Sequence, residues 1–174
     1  MLLPAGNRLY VCGGWLEGDH VTKAERFDTV ENKWEEIANM QQKRTYACGV
    51  ATEGKIFVAG GREDWKPFLK TCEMHNISTN EWKFIGSLKI PREDCRMICL
   101  KGTLYVLGGT NDHGLSQLSV ECYDPTEDKW IERTIIPVKT ISKGNKDKFT
   151  GCVLKLSKGI LDKFDVIKNK LVRI

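Results

Sequence analysis

A unit of about 48 residues occurs three times in this 174-residue chain, and this repeat constrains the fold more than any other feature. Each unit carries a glycine doublet, then a Glu, an aromatic residue or His, an Asp or Asn, and a Trp. These five columns are Gly13, Gly14, Gly60, Gly61, Gly108 and Gly109; Glu25, Glu73 and Glu121; Phe27, His75 and Tyr123; Asp28, Asn76 and Asp124; and Trp34, Trp82 and Trp130. Five columns in register at one period indicate repeated structural units.

Each unit has the pattern of four short antiparallel strands. In the second unit, strands are predicted over 45–52, 55–61, 69–76 and 81–87, with turn residues between them. The third unit repeats this pattern with strands over 92–100, 103–109, 118–124 and 129–133. No segment shows a helical period. A unit this small cannot bury its own apolar face, so we expect the units to stack on one another.

The regular spacing of the columns has physical reasons. A glycine doublet at a strand end permits backbone angles and close contacts that other residues do not. A Trp and a second aromatic residue from each sheet bury large areas between neighbouring sheets. The Glu and Asp columns are predicted to accept hydrogen bonds from the backbone or from a cation in the next sheet.

The columns resemble kelch repeats, in which a Gly-Gly doublet precedes Glu-x-aromatic-Asp and then Trp. Here the motifs read GG…ERFD…W (13–34), GG…EMHN…W (60–82) and GG…ECYD…W (108–130), and the resemblance covers roughly residues 3–135. It implies an all-β fold, a β-propeller with one four-stranded blade per repeat. The second unit departs from the pattern at His75 and Asn76, which predicts looser packing of that blade.

Three repeats imply a propeller fragment, because propellers usually close with four to eight blades. The blades are placed at about 3–38, 42–87 and 90–135. The segment 5–14 aligns with a second strand, which predicts that the first blade lacks its first strand. Residues 148–161 resemble a first strand and are predicted to close the ring, so the kelch region spans 1–161, followed by a basic tail over 162–174. Open blade edges would favour self-association.

Composition excludes several classes of function. Hydrophobic residues make up 41% and charged residues 29% of the chain, which is typical of a globular protein, and no stretch is long and apolar enough to span a membrane. Residues 1–138 carry 17 basic and 20 acidic side chains, whereas 139–174 carry 10 and three. Because few aromatic residues lie among those lysines, no nucleic-acid partner is predicted.

Cysteine usage predicts a cytoplasmic protein. The seven cysteines are an odd number without a Cys-x-x-Cys pair, and most lie in apolar strand-like runs. They are interpreted as small buried hydrophobic residues in a reducing compartment. The three histidines show no zinc spacing. His20 and His113 occupy equivalent loops, but two histidines without a third ligand do not define a metal site, and no metal or cofactor is predicted.

The resemblance implies that function lies at the mouth of the central channel, in the segments that follow the doublets (15–20, 62–68 and 110–114) or precede the first strands. The candidate partner-binding residues are Trp15, His20, Thr45, Tyr46, Arg62, Asp64, Trp65, Glu93, Asp94, Asn111, Asp112 and His113. Trp15 and Trp65 stand outside the repeat columns, and each is either a binding anchor or a side chain folded back onto its own blade. The excess of carboxylates predicts a partner segment carrying Lys or Arg.

Arg96 is unusual because its counterpart in the second unit is the small Cys48. Its side chain either points into the channel, towards Glu93 or Asp94, or indicates an alignment shifted by one residue.

The predicted function is a non-catalytic protein-interaction module. The style of the repeats is most similar to the BTB–kelch group, which implies recognition of substrates for a cullin-RING ubiquitin ligase; cullin would be reached only through a BTB domain, which this sequence does not contain. The alternative is an actin- or cytoskeleton-associated kelch protein. An enzyme is not predicted, because no phosphate-binding loop, nucleophile elbow or zinc-protease motif is found.

Overall fold

The computed structural model describes residues 1–64 and 67–135. These residues form twelve strands: β1 (Leu2–Ala5), β2 (Arg8–Leu16), β3 (Asp19–Asp28), β4 (Lys33–Glu36), β5 (Cys48–Thr52), β6 (Lys55–Ala59), β7 (Cys72–Asn76), β8 (Glu81–Ile85), β9 (Arg96–Leu100), β10 (Thr103–Leu107), β11 (Ser119–Asp124) and β12 (Lys129–Ile135). Trp65, the predicted closing strand (148–161) and the basic tail (162–174) lie outside the described residues.

The strands form three antiparallel sheets of four strands, each in sequence order, and the prediction of an all-β fold built from four-stranded blades is confirmed. We call the sheets blades 1, 2 and 3. The first strands of neighbouring blades lie side by side, β1 beside β5 and β5 beside β9. The first strands therefore line the inner side of the arc. Within the described ranges, no helix is long and apolar enough to cross a membrane.

Blade 1 has its first strand, so the prediction that this strand is absent is wrong. β1 pairs with β2 from Leu2 opposite Val11 to Ala5 opposite Arg8. Leu3 is buried, and the Cys12 amide donates to the Met1 carbonyl at 3.0 Å. Pro4 obscured the pattern, but proline is tolerated in an edge strand, where one row of amides has no partner to donate to.

Residues 15–20 are the end of a long hairpin and not the predicted loop. β2 continues to Leu16 and β3 begins at Asp19, with Trp15 opposite His20. Glu17 and Gly18 have φ angles of 51° and 89°, the left-handed pair that a tight two-residue hairpin turn requires. The register shifts between Cys12 and Gly14, so the doublet forms a β-bulge within the hairpin rather than ending it.

Most of the core lies in two seams between neighbouring blades, and a smaller cluster lies in blade 3 around Leu107 and Val120. At the seam between blades 1 and 2, Tyr10 and Cys12 pack with Ile56, Val58 and Trp82. The seam between blades 2 and 3 is built in the same way, from Cys48, Ala59, Cys72, Leu104, Val106 and Trp130. The Trp residues of blades 2 and 3 therefore pack against the preceding blade.

The aromatic column lies opposite the Trp column within each blade. Phe27, His75 and Tyr123 are the register partners of Trp34, Trp82 and Trp130. The ring centroids are 5.2, 4.9 and 5.3 Å apart, so the pair that contains His75 is as close as the other two. The looser packing expected for blade 2 is not found.

The Asp or Asn column closes the turn between the third and fourth strands. The Asp28 carboxylate accepts hydrogen bonds from the amides of Val30 (2.9 Å) and Glu31 (3.1 Å). Asn76 and Asp124 accept equivalent bonds. The backbone, rather than a cation, is therefore the main partner of this column, which agrees with one of the two predicted alternatives.

Candidate functional site

The two kinds of segment predicted to form the mouth lie side by side in the structure. Thr45 and Arg62 exchange two backbone hydrogen bonds of 3.0 and 2.9 Å, and Glu93 and Thr110 exchange bonds of 3.1 and 3.0 Å. Each bridge joins the segment before a first strand to the segment after the doublet of the same blade. The mouth of blades 2 and 3 is thus one continuous backbone surface.

Backbone bonds also join the mouth segments of neighbouring blades. The Gly14 amide of blade 1 donates to the Arg44 carbonyl, and the Gly61 amide of blade 2 donates to the Arg92 carbonyl, both at 2.8 Å. A Cβ atom at Gly61 would lie 2.4 Å from the Thr45 carbonyl oxygen, so a larger residue is excluded there. The doublets thus fix the segments on which the mouth residues stand.

Two buried arginines fix the mouth segments that precede the first strands of blades 2 and 3. The Arg44 guanidinium contacts the Glu73 carboxylate at 3.0 Å and donates to the carbonyls of Gly60 and Thr71. Arg92 contacts Glu121 at 2.6 Å in the same way, and all four side chains are fully buried. The second carboxylate oxygen of each Glu accepts a backbone amide, from Gln41 in one case and Lys89 in the other. These contacts tie each segment to its blade, although the buried Nε of Arg92 has no hydrogen-bond partner among the described residues.

The sequence contained a signal for these two buried Arg–Glu pairs, which the five repeat columns alone did not reveal. Arg44 and Arg92 are 48 residues apart, and each lies 29 residues before its Glu. The prediction named Glu73 and Glu121 as hydrogen-bond acceptors, but it did not identify these arginines as their partners. A search for basic residues in register with the Glu column would have found them.

Tyr46 presents an aromatic ring at the seam between blades 2 and 3. It lies directly after Thr45 with a left-handed φ of 54°, and 53% of its surface is exposed. The Arg62 guanidinium lies over the ring, 4.9 Å from the centroid, and its Nε is 3.4 Å from a Glu93 carboxylate oxygen. The ring is therefore held by a cation that is itself held by a carboxylate of the next blade.

Asp94 is the counterpart of Tyr46 in blade 3 and shares its backbone conformation. Its φ is 53°, and its amide donates to the Tyr46 carbonyl at 2.8 Å. The half-buried carboxylate therefore stands one blade further along the mouth than the Tyr46 ring. Asp64, also with a left-handed φ, lies two residues after Arg62.

Trp15 and His20 form an aromatic unit at the end of the blade 1 hairpin. The rings meet edge to face with centroids 4.7 Å apart. His20 is buried and its Nδ1 lies 2.9 Å from the Thr45 hydroxyl of blade 2, whereas Trp15 remains 61% exposed. One edge of Trp15 therefore packs on its own blade and most of the ring faces solvent, and a role as a binding anchor stays a prediction.

The hairpin end is also tied to blade 2 by charge. Lys43 Nζ donates to the Asp19 carboxylate at 2.7 Å. This hydrogen bond lowers the pKa of Asp19, against a smaller opposing effect of burial. The exposed Trp15 thus belongs to a hairpin attached to the mouth of blade 2 at two points.

The blade 3 loop is organised around Asn111. Its side-chain oxygen accepts the amides of His113 and Leu115, both at 3.0 Å. The Asp112 carboxylate accepts the amide of Phe68 in blade 2, and His113 is exposed. Asn111 and Asp112 therefore shape a loop in which His113 is exposed to solvent.

The predicted mouth residues thus divide by exposure. Trp15, Tyr46, Asp112 and His113 are exposed; Arg62, Asp64, Asp94 and Asn111 are half-buried; His20, Thr45 and Glu93 are buried. The buried group positions its neighbours and presents little surface to a partner. Trp65 belongs to none of these groups because it lies outside the described residues.

The alignment of Arg96 with Cys48 is correct. In the strand register, Arg96 lies opposite Leu107 just as Cys48 lies opposite Ala59. The Arg96 side chain is exposed, and Glu93 pairs with Arg62 of the preceding blade. His20 and His113 stand on blades 1 and 3, and among the described residues no group of three or more His, Cys, Asp or Glu is arranged to hold a metal ion.

Comparison with known proteins explains this architecture. The kelch motif matches residues 5–41, 43–89 and 91–134. The chain belongs to the kelch-repeat family. It is 33% identical to human Kelch-like protein 33 over 128 residues, 72% of this chain, and 30% identical to mouse Kelch-like protein 35 over 131 residues, 75% of this chain. It is also 28% identical to Kelch repeat protein C2 of vaccinia virus over 134 residues.

The solved structure of YjhT has the same fold. It superposes with a TM-score of 0.68 at 16% sequence identity, over 78% of this chain and 51% of that one. The kelch chain spans 22 to 26% of the length of the three curated relatives. Kelch repeats and kelch-like relatives together identify it as a propeller module of the kind that binds other proteins.

Proposed function

We propose that the mouth of blades 2 and 3 binds a peptide segment of a protein partner, and that this binding involves no catalysis. The observation that carries the proposal is the exposed Tyr46 ring, held by the Arg62–Glu93 pair at a seam fixed by the buried arginines. A pre-positioned, exposed aromatic ring loses little conformational entropy on binding, and Tyr, Trp and Arg dominate the energetics of protein interfaces.

The chemistry of the mouth favours a partner segment with a Lys or Arg. Glu93 pairs with Arg62, and two further half-buried carboxylates stand on the mouth segments: Asp94, whose amide donates to the Tyr46 carbonyl, and Asp64, two residues after Arg62. A partner cation could contact these carboxylates while its aliphatic stem packs on the ring. Trp15, on the neighbouring hairpin, would extend the surface towards blade 1.

The wider proposal is that the partner is a substrate delivered to a cullin-RING ubiquitin ligase in the cytoplasm. The support is similarity to kelch-like proteins of which this chain spans only about a quarter. Contact with cullin would depend on a BTB domain, whereas the kelch repeats would supply the contact with the substrate. The six cysteines of the described part are free thiols, which fits a reducing compartment.

A peptide library displayed on phage tests the proposed site before any partner is identified. We expect enrichment of segments with a Lys or Arg, and at least a roughly tenfold loss of affinity for Tyr46→Ala and for Asp94→Asn. Phe84→Ala is the matched control, because Phe84 is a comparably exposed aromatic residue on the outer strand β8.

Enrichment of acidic segments, or equal binding by the Tyr46 variant, would refute the proposed recognition. Saturable co-sedimentation with filamentous actin that is unchanged by Tyr46→Ala would instead support the cytoskeletal alternative and a different surface.

A further inference from the structure

Two cysteine side chains meet at the seam between blades 2 and 3. The Cys95 thiol donates to the Cys48 sulfur with the two Sγ atoms 2.8 Å apart, although the residues are 47 positions apart in sequence. Both are buried, at 4% exposed surface for Cys48 and 1% for Cys95, and both are free thiols. A disulfide requires the sulfur atoms to approach to about 2.05 Å, so a small side-chain movement separates the two states.

The backbone holds the two sulfur atoms together. The Asp94 amide, one residue before Cys95, donates to the carbonyl of Tyr46, two residues before Cys48. On the other side, a Cβ atom at Gly109 would lie 3.1 Å from the Cys95 Cβ, so the glycine doublet leaves space for the Cys95 side chain. The backbone of the seam therefore places Cys48 and Cys95 side by side.

We propose that Cys48 and Cys95 form a reversible disulfide between blades 2 and 3 when the protein meets a hydroperoxide. One thiolate attacks the peroxide oxygen, giving a sulfenic acid and releasing water from hydrogen peroxide. The second sulfur displaces the sulfenic hydroxyl, which leaves as a second water with the remaining thiol proton. Two thiols and one hydrogen peroxide thus give one disulfide and two waters, and an external dithiol restores the thiols.

The other cysteines make this pair specific. Burial raises the pKa of Cys12 and of Cys72 to about 12, and burial likewise raises the pKa of Cys48. Burial is thus common to these cysteines, whereas the sulfur–sulfur contact is a feature of Cys48 and Cys95. Cys72 lies two strands away from Cys48 in the same sheet, which corresponds to roughly 10 Å. Because the thiolate is the reactive form, we expect the disulfide to form faster as the pH is raised.

The link would join the mouth segments that carry Tyr46 and Asp94. Both residues lie within two positions of the cysteines, so a covalent bond would fix the spacing between the aromatic ring and the carboxylate. This consequence concerns the proposed binding site, but formation of the disulfide does not depend on it.

Peptide mapping of the intact chain tests the inference. The seven cysteines fall in seven different tryptic peptides, with Cys48 in 45–55, Cys95 in 93–96 and Cys99 in 97–101. After treatment with hydrogen peroxide and alkylation of the remaining thiols, we expect peptides 45–55 and 93–96 to be joined with loss of two hydrogens. Dithiothreitol should release them, and the oxidised chain should melt at least roughly 5 °C higher than the reduced one.

Matched variants and a denatured control make the result decisive. Cys95→Ser should abolish the joined peptide, whereas Cys12→Ser, an equally buried cysteine of the other seam, should leave it unchanged. In urea the pairing should become unselective, which shows in the unmodified chain that the fold directs it. Recovery of both peptides as alkylated or over-oxidised monomers, or Cys95 joined equally to Cys99, would overturn the inference.

Discussion

The same glutamate column has two different environments in this molecule. In blades 2 and 3, Glu73 and Glu121 are fully buried and each accepts a buried arginine and a backbone amide. In blade 1, Glu25 is half-buried and contacts Lys23 at 2.7 Å on the surface. The arginines of blades 2 and 3 come from the segment that arrives from the preceding blade. The environment of this repeat column therefore depends on the segment that connects its blade to the preceding one.

The apolar contacts of the Trp column also depend on the neighbouring blade. Trp82 and Trp130 are 7% and 0% exposed because each packs against the preceding blade, whereas 55% of Trp34 is exposed. The three residues share their register and their aromatic partners, so the difference does not arise within the blade. Nearest-neighbour packing of this kind is characteristic of repeat proteins.

Removal of a column carboxylate should give the largest difference between the blades. Glu121→Ala leaves Arg92 as an uncompensated buried charge, and we expect a loss of about 4 kcal/mol in the free energy of unfolding. Glu25→Ala removes only a surface ion pair and should cost less than about 1 kcal/mol. Urea unfolding followed by tryptophan fluorescence measures both.

A double variant separates the charge effect from simple loss of packing. Arg92→Met combined with Glu121→Leu removes both charges at similar volume and should recover part of the stability lost by Glu121→Ala, since the carbonyls of Gly108 and Ser119 lose their donor. Equal destabilisation by Glu25→Ala and Glu121→Ala would contradict the comparison between the blades.

The Trp column predicts a smaller, graded effect of substitution by Phe. Trp82 Nε1 donates to the Ala38 carbonyl of blade 1 at 2.7 Å, whereas the buried Trp130 Nε1 has no hydrogen-bond partner among the described residues. Trp82→Phe should therefore cost about 1 kcal/mol more than Trp130→Phe. Trp34→Phe should change stability by no more than about 0.5 kcal/mol. The prediction fails if Trp34→Phe is as costly as Trp82→Phe in the same unfolding measurement.

The sequence predicted the parts of the fold that depend on local chemistry. Gly54 and Gly102 mark tight turns, and the strands on either side of each turn appear where alternation predicted them. The strand that was missed, β1, is four residues long and contains Pro4, so its pattern is weak by itself. The extended hairpin of blade 1 was missed because the segment after each doublet was expected to be a loop. Trp15 and Leu16 stand in this segment, where the other two repeats have polar residues.

The candidate site was less predictable, because exposure there is set by contacts between blades. His20 and His113 lie in equivalent segments, each after a glycine doublet, yet His20 is buried against Thr45 of the next blade and His113 faces solvent. Likewise, the stacking of Arg62 on Tyr46 and its pairing with Glu93 join residues from different segments. The sequence predicted which segments meet, but not which side chains of those segments face inward.

The aromatic column provides the finest comparison, because only blade 2 carries a titratable imidazole opposite its Trp. Burial lowers the pKa of His75, an effect that Asn80 partly opposes and Arg26 reinforces. As the pH falls through about 6.5, the unfolded chain takes up a proton that folded His75 resists, so stability is complete above that value and decreases below it. His75→Phe, the residue that blade 1 already uses at this position, should reduce the loss of stability between about pH 7.5 and about pH 5.5. Thermal melts of both proteins at each pH measure this, and an unchanged difference would show that other groups control the pH dependence.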